Sequence, residues 1–155
     1  MEQVAKNIDR LVTVAAGMGY HPDRWIVPAL YEGAAEKLGG KPISLVATQR
    51  IIEQVKEGNS VVLVDQFGYL PNMPYGETDG PLGVASLARA VRFGLKALPV
   101  LVTGPKDINV ARQTTQAAGL NVLQYGEAKE IKTACAGEIT FPVVDEGESA
   151  KVAAR

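Results

Sequence analysis

Val4, Ile8, Leu11, Val12 and Ala15 recur three or four positions apart, which lays their side chains along one stripe of a helix over residues 2–18. Gly17 and Gly19 end that helix, because glycine exits a helix easily and propagates it poorly. A second helix is predicted over residues 28–38, up to Gly39 and Gly40. A third starts at Ser44 as N-cap, carries Ile51, Ile52 and Val55 on its apolar side, and stops at Gly58. From residue 60 the period changes. Ser60, Val61, Val62, Leu63 and Val64 form a short β-branched run, the pattern of a strand buried on both faces. Residues 98–102, 121–124 and 139–144 read as further strands, and Pro142 places the last at a sheet edge. Helices are predicted between them. One covers residues 81–95, and another runs over 107–118 with Asp107 as cap and Gly119 as stop. The last carries Ala128, Ile131 and Cys135 on one face and is closed by Gly137.

Strands alternating with helices imply parallel pairing with right-handed crossovers. The expected fold is α/β: a three-layer, Rossmann-like arrangement with a mostly parallel sheet of about four strands, preceded by N-terminal helices. One domain spans residues 1–145, with a helical entry region at 1–58 and the alternating part at 60–144. A polar tail follows at 146–155. Strand order 3-2-1-4 is expected, which puts a crevice between the first and fourth strands. Asp65 and Asp145 would share it, since ligands of open α/β sheets bind outside the carboxyl ends of the strands.

Composition narrows the function. With 46% hydrophobic residues the chain can bury a core, and a net charge of −1 gives no footprint for a nucleic acid. The apolar runs are too short to span a bilayer. Glu2 and Asp9 fit neither a secretory signal nor an acid-poor transit peptide. A single cysteine, Cys135, excludes an internal disulfide and suits a reducing compartment, the cytoplasm or an organelle matrix. It reads as core. His21 reads as a surface residue in a turn, and Trp25 and Tyr31 as packing for the first helices.

The densest chemistry lies between the first strand and the helix after it, at Gly76, Glu77, Thr78, Asp79, Gly80, Pro81, Leu82 and Gly83. It is no dinucleotide loop: the glycines start well past the strand, and Thr78 stands where the middle glycine belongs. No G-K-[ST] sequence is present, so NAD and ATP are both disfavoured. Asp79 or Gly80 can cap the helix, with Pro81 in its first turn. The same helix start offers the N–H groups of Leu82 and Gly83 to an anion. Glu77 is either an exposed loop residue or a general acid/base or metal ligand. Asp65 either begins a turn or serves the site. If Asp65, Glu77, Asp79 and Asp145 converge, an all-oxygen set would suit Mg²⁺, Mn²⁺ or Ca²⁺. Lys106, after Thr103-Gly104-Pro105, is solvated or meets an anionic group.

This motif, with Ala85 and Leu87 to Ala90 after it and Pro71 and Pro74 in the loop before it, resembles the C-terminal domain of D-glutamate cyclase and its bacterial relatives. Tyr31 to Ala34 and Pro42 to Leu45 are similar to that family's entry region. The resemblance covers roughly residues 5–125. It implies an α/β fold and dehydration of D-glutamate to 5-oxo-D-proline, a lyase reaction on a small amino or carboxylic acid. Glu77 and Asp79 match its acid–base positions, with Asp65 as a further catalytic candidate. Thr78, Gly80, Leu82, Gly83 and Lys106 are the substrate-binding candidates. It also implies a longer domain, so a second copy or a separate subunit is expected to complete the site. The competing reading is a non-catalytic, ligand-binding subunit of a larger complex.

Overall fold

A computed structural model describes residues 1–13, 26–65, 78–131 and 135–140. The chain divides into two compact units, Met1–Gln54 and Val55–Arg155.

The first unit holds α1 (Glu2–Thr13), α2 (Ile26–Lys37) and α3 (Ile43–Gln54). The residues that α1 buries are Ala5 and Asp9, whereas Val4, Ile8, Leu11 and Val12 stay exposed. The predicted apolar stripe is therefore not the face that packs within the unit. Ser44 does not cap α3: the Val46 N–H donates to the Pro42 carbonyl at 3.1 Å, so the helix starts two residues earlier. Proline has no side-chain acceptor with which to satisfy the open N–H groups of a helix start. Asp9 of α1 supplies one, its Oδ1 accepting the Ser44 N–H at 3.3 Å while Oδ2 accepts the Tyr31 hydroxyl at 2.7 Å. Gly39 and Gly40 close α2 with positive φ, as expected of a glycine stop.

The second unit is the α/β part. Its order is β1 (Ser60–Val64), α4 (Asp79–Arg89), β2 (Leu98–Thr103), α5 (Ile108–Ala117), β3 (Asn121–Gln124), α6 (Tyr125–Glu130) and β4 (Cys135–Thr140). A π-helical turn, Ala90–Gly94, extends α4. All pairings are parallel, and the sheet order is β1-β2-β4-β3. The fold class is the one expected; the order 3-2-1-4 is not. The fourth strand returns between the second and third instead of beside the first, so β1 and β3 form the edges of the described sheet. β1 is accordingly not buried on both faces, for Val62 is 58% and Val64 74% exposed. Every residue of β2 is buried.

Of the expected edge strand at 139–144, Ile139 and Thr140 belong to β4, which begins four residues earlier and is internal in the described sheet, while 141–144 lie outside the described residues; Cys135 and Gly137 belong to β4 and not to a helix. Small residues let it run there. A Cβ on Gly137 would stand 3.3 Å from the Tyr125 Cα and 3.2 Å from its ring, because α6 crosses β4 at that point. Cys135 is fully buried, so its core reading holds in a different element.

Two apolar clusters cover the sheet. Leu63, Leu101, Val122 and Ala136 pack with Ala88 of α4 and Ala111 of α5 on one face. Leu98, Val100, Val102 and Cys135 pack with Ala128 of α6 on the other. The winding explains this sorting. From β1 to β2 to β3 the chain moves one way across the sheet, and it returns to β4 the other way. Right-handed crossovers then place α6 opposite α4 and α5. Among the described residues no helix is long and apolar enough to cross a membrane.

Candidate functional site

The reversal of winding fixes where a crevice can open. The loop after β2 leads to one face and the loop after β3 to the other, with β4 between them. A switch point of this kind separates the loops at the carboxyl ends of the strands. It lies over β4, between β2 and β3, and not between β1 and β4 as the expected order required.

Three polar residues stand in a row across this carboxyl edge. Thr103 and Thr140 are register partners on β2 and β4. Asp65 extends β1 by one residue, its N–H donating to the Val102 carbonyl at 3.2 Å, which sets it beside Thr103. Side chains alternate along a strand, so all three belong to the pleat face of Leu63 and Leu101, the face that α4 and α5 cover. Thr103 is 4% exposed, and among the described residues its Oγ1, like that of the fully buried Thr115 in α5, has no hydrogen-bond partner. A buried hydroxyl left unpaired is uncommon and unfavourable, so this one marks a place where a partner belongs.

Below the row lies a satisfied polar group. Glu138 of β4 is 3% exposed and takes a two-pronged contact from Arg112 of α5, Nε to Oε2 at 2.8 Å and Nη2 to Oε1 at 2.6 Å. Gln124 Nε2 donates to Oε1 at 2.7 Å, and Asn109 Oδ1 accepts from Arg112 Nη1 at 2.8 Å. The hydrogen bond to Glu138 raises the Arg112 pKa, despite the opposing effect of burial. This fork ties α5 to β4, and through Gln124 to β3.

The predicted site residues are distributed as follows. Asp65 stands on the edge, half-buried. Lys106 is exposed in the loop after β2, beyond Thr103. Thr78 and not Asp79 or Gly80 is the cap residue of α4, and its side chain makes no capping bond. The helix thus starts two residues before Pro81, which is buried in its first turn. Leu82 and Gly83 then lie within the i→i−4 ladder, so their N–H groups are used by the helix itself. The groups outside the ladder are those of Thr78, Asp79 and Gly80. The Gly80 N–H already donates to Asp79 Oδ1 at 3.0 Å. An incoming carboxylate would share that positive end with the charge of Asp79. Glu77 and Asp145 lie outside the described residues, as do His21, Trp25, Pro71, Pro74 and Pro142. Among the described residues, no three His, Cys, Asp or Glu side chains come close enough to hold a metal ion.

Sequence reasoning missed Thr103, Thr140, Glu138 and Arg112. Thr103 carried a usable signal, a polar residue closing an apolar strand just before Gly104-Pro105. Glu138 carried none, because its partner Arg112 is 26 positions away. Comparison with family models, with curated proteins and with solved structures found no match to this chain.

Proposed function

We propose that this chain is an enzyme, or the subunit of one, that acts on a small amino or carboxylic acid by acid–base chemistry of the D-glutamate cyclase kind. The observation that carries the reading is the buried Thr103 hydroxyl, unpaired among the described residues, beside Asp65 at the carboxyl edge and next to the strand over which the winding reverses. The resemblance of the segment Gly76 to Gly83 adds Glu77 and Asp79. In the reaction the amine of D-glutamate attacks its side-chain carboxyl carbon, a C–N bond forms, and a C–O bond breaks with release of water. One group must take a proton from the amine and another must give one to the leaving oxygen. Glu77, Asp79 and Asp65 are the candidates for those transfers. Thr103 can donate to a substrate oxygen, and Lys106 can meet a carboxylate. A reducing compartment such as the cytoplasm fits the single, buried Cys135.

The test is conversion of D-glutamate to 5-oxo-D-proline by the purified protein, followed by chromatography. Glu77→Gln, Asp79→Asn and Asp65→Asn should each lower kcat by about 10²–10⁴ if the group moves a proton in the rate-limiting step. Turnover that survives all three substitutions sinks the assignment.

A second reading is favoured by β1, an edge strand with Val62 and Val64 exposed. Such an edge invites a further subunit, a second copy or another polypeptide. The chain would then be a non-catalytic or half-site component. Activity that appears only on adding the partner distinguishes the two.

A further inference from the structure

At the opposite end of the sheet, where the strands begin, a cleft of about 630 Å³ opens between the start of β1 and β2, the π-helical turn and the end of α6. Its volume falls in the range that encloses small ligands. Leu98 and Ala128 are buried in its floor, and Phe93 and Ile131 add partly exposed apolar surface. Arg92, Lys96, Lys129 and Glu57 border it, and Arg92 Nη1 also donates to the Ala97 carbonyl at 3.5 Å. Glu57 meets Lys96 at 3.9 Å, and more than two thirds of each side chain is exposed. A pair so solvated neutralises little.

Two irregularities of the backbone border the same cleft. The π-helical turn Ala90–Gly94 contributes Arg92 and Phe93, and π-turns inside helices recur at functional sites. The Arg89 guanidinium lies over the Phe93 ring, 5.0 Å from its centroid, which restrains it. Lys96 has φ 56°, the sole positive value at a non-glycine residue among those described. Glycine would hold that conformation without strain, as it does at Gly58 and Gly119. A lysine there keeps a cation on the rim at the expense of backbone strain, and strain of this kind collects at ligand sites.

We infer that this cleft binds a small organic anion, with an aryl or alkyl body on Leu98, Ala128, Phe93 and Ile131 and a phosphate or carboxylate head at Arg92, Lys96 and Lys129. The site is separate from the carboxyl edge and stands whether or not the cyclase reading does.

Phenyl phosphate titrated into ¹⁵N-labelled protein tests this by amide shifts. Saturable shifts at Gly58, Ser60, Phe93, Lys96 and Lys129 are expected, with inorganic phosphate and phenol each binding at least about tenfold more weakly. That margin corresponds to about 1.4 kcal/mol lost with either half of the ligand. Lys96→Gly should raise Tm, by relieving the strain, and weaken phenyl phosphate several-fold. Absence of saturable shifts in this cleft, shifts confined to Asp65 and Thr103, inorganic phosphate binding as tightly as phenyl phosphate, or Lys96→Gly binding like the parent would each overturn the inference.

Discussion

Asp9 links all three helices of the first unit, from α1 to Tyr31 of α2 and Ser44 of α3. It is 3% exposed, accepts from Tyr31 and Ser44, and places a negative charge at the start of α3, where the helix dipole favours it. Burial pushes its carboxyl pKa up, but the hydrogen bonds from Ser44 and Tyr31 outweigh that and hold it below its ordinary value. The contact with Asp9 in turn raises the phenol of Tyr31. A carboxyl whose folded pKa is depressed stabilises the fold above its unfolded pKa, near 3.9, and loses that contribution as pH falls through the folded value. Asp9→Ala should therefore lower stability by about 1–3 kcal/mol at neutral pH. Urea midpoints measured against pH should show the gap between Asp9→Asn and the parent closing below about pH 4. A gap that widens on acidification would contradict this account. From the sequence Asp9 was legible only as a charge in a helix; its capping role needs Ser44, 35 positions on.

Among the elements, β4 shows best what pattern reading reaches and where it stops. β1 and β3 were legible to the residue, because a short apolar stretch between turn signals, β-branched in β1 and Val122-Leu123 after Gly119 in β3, admits few alternatives. β4 was displaced, because Cys135-Ala136-Gly137-Glu138 has neither β-branched residues nor alternation. Its strand character comes from pairing on both sides, and its small residues from the close approach of α6. Gly137→Ala should thus destabilise the protein by about 1–3 kcal/mol, read as a drop in Tm, since the Tyr125 Cα as well as its ring opposes the new methyl, and the backbone cannot swing aside as a side chain can. An unchanged Tm would mean that α6 is not held against β4.

For the whole molecule, the exposed pair Val62 and Val64 on an edge strand is the feature most in need of a partner. Sedimentation should show a species heavier than the 16.4 kDa chain, and Val62→Lys with Val64→Lys should return it to the monomer mass. A monodisperse parent monomer would remove the case for assembly through this edge. The carboxyl edge belongs to the same scale. Asp65 and Lys106 were legible as strand-end polar residues, but the pairing of Thr103 with Thr140 depends on a strand order that no local pattern encodes.

The sequence by itself determined the class: apolar periodicity and glycine stops are local, so they specified helices, parallel strands and their alternation. Only the tertiary structure decided the order β1-β2-β4-β3, the position of the switch point and the burial of Glu138 against Arg112. Those depend on contacts between residues far apart in the chain, where packing and charge burial outweigh local propensity.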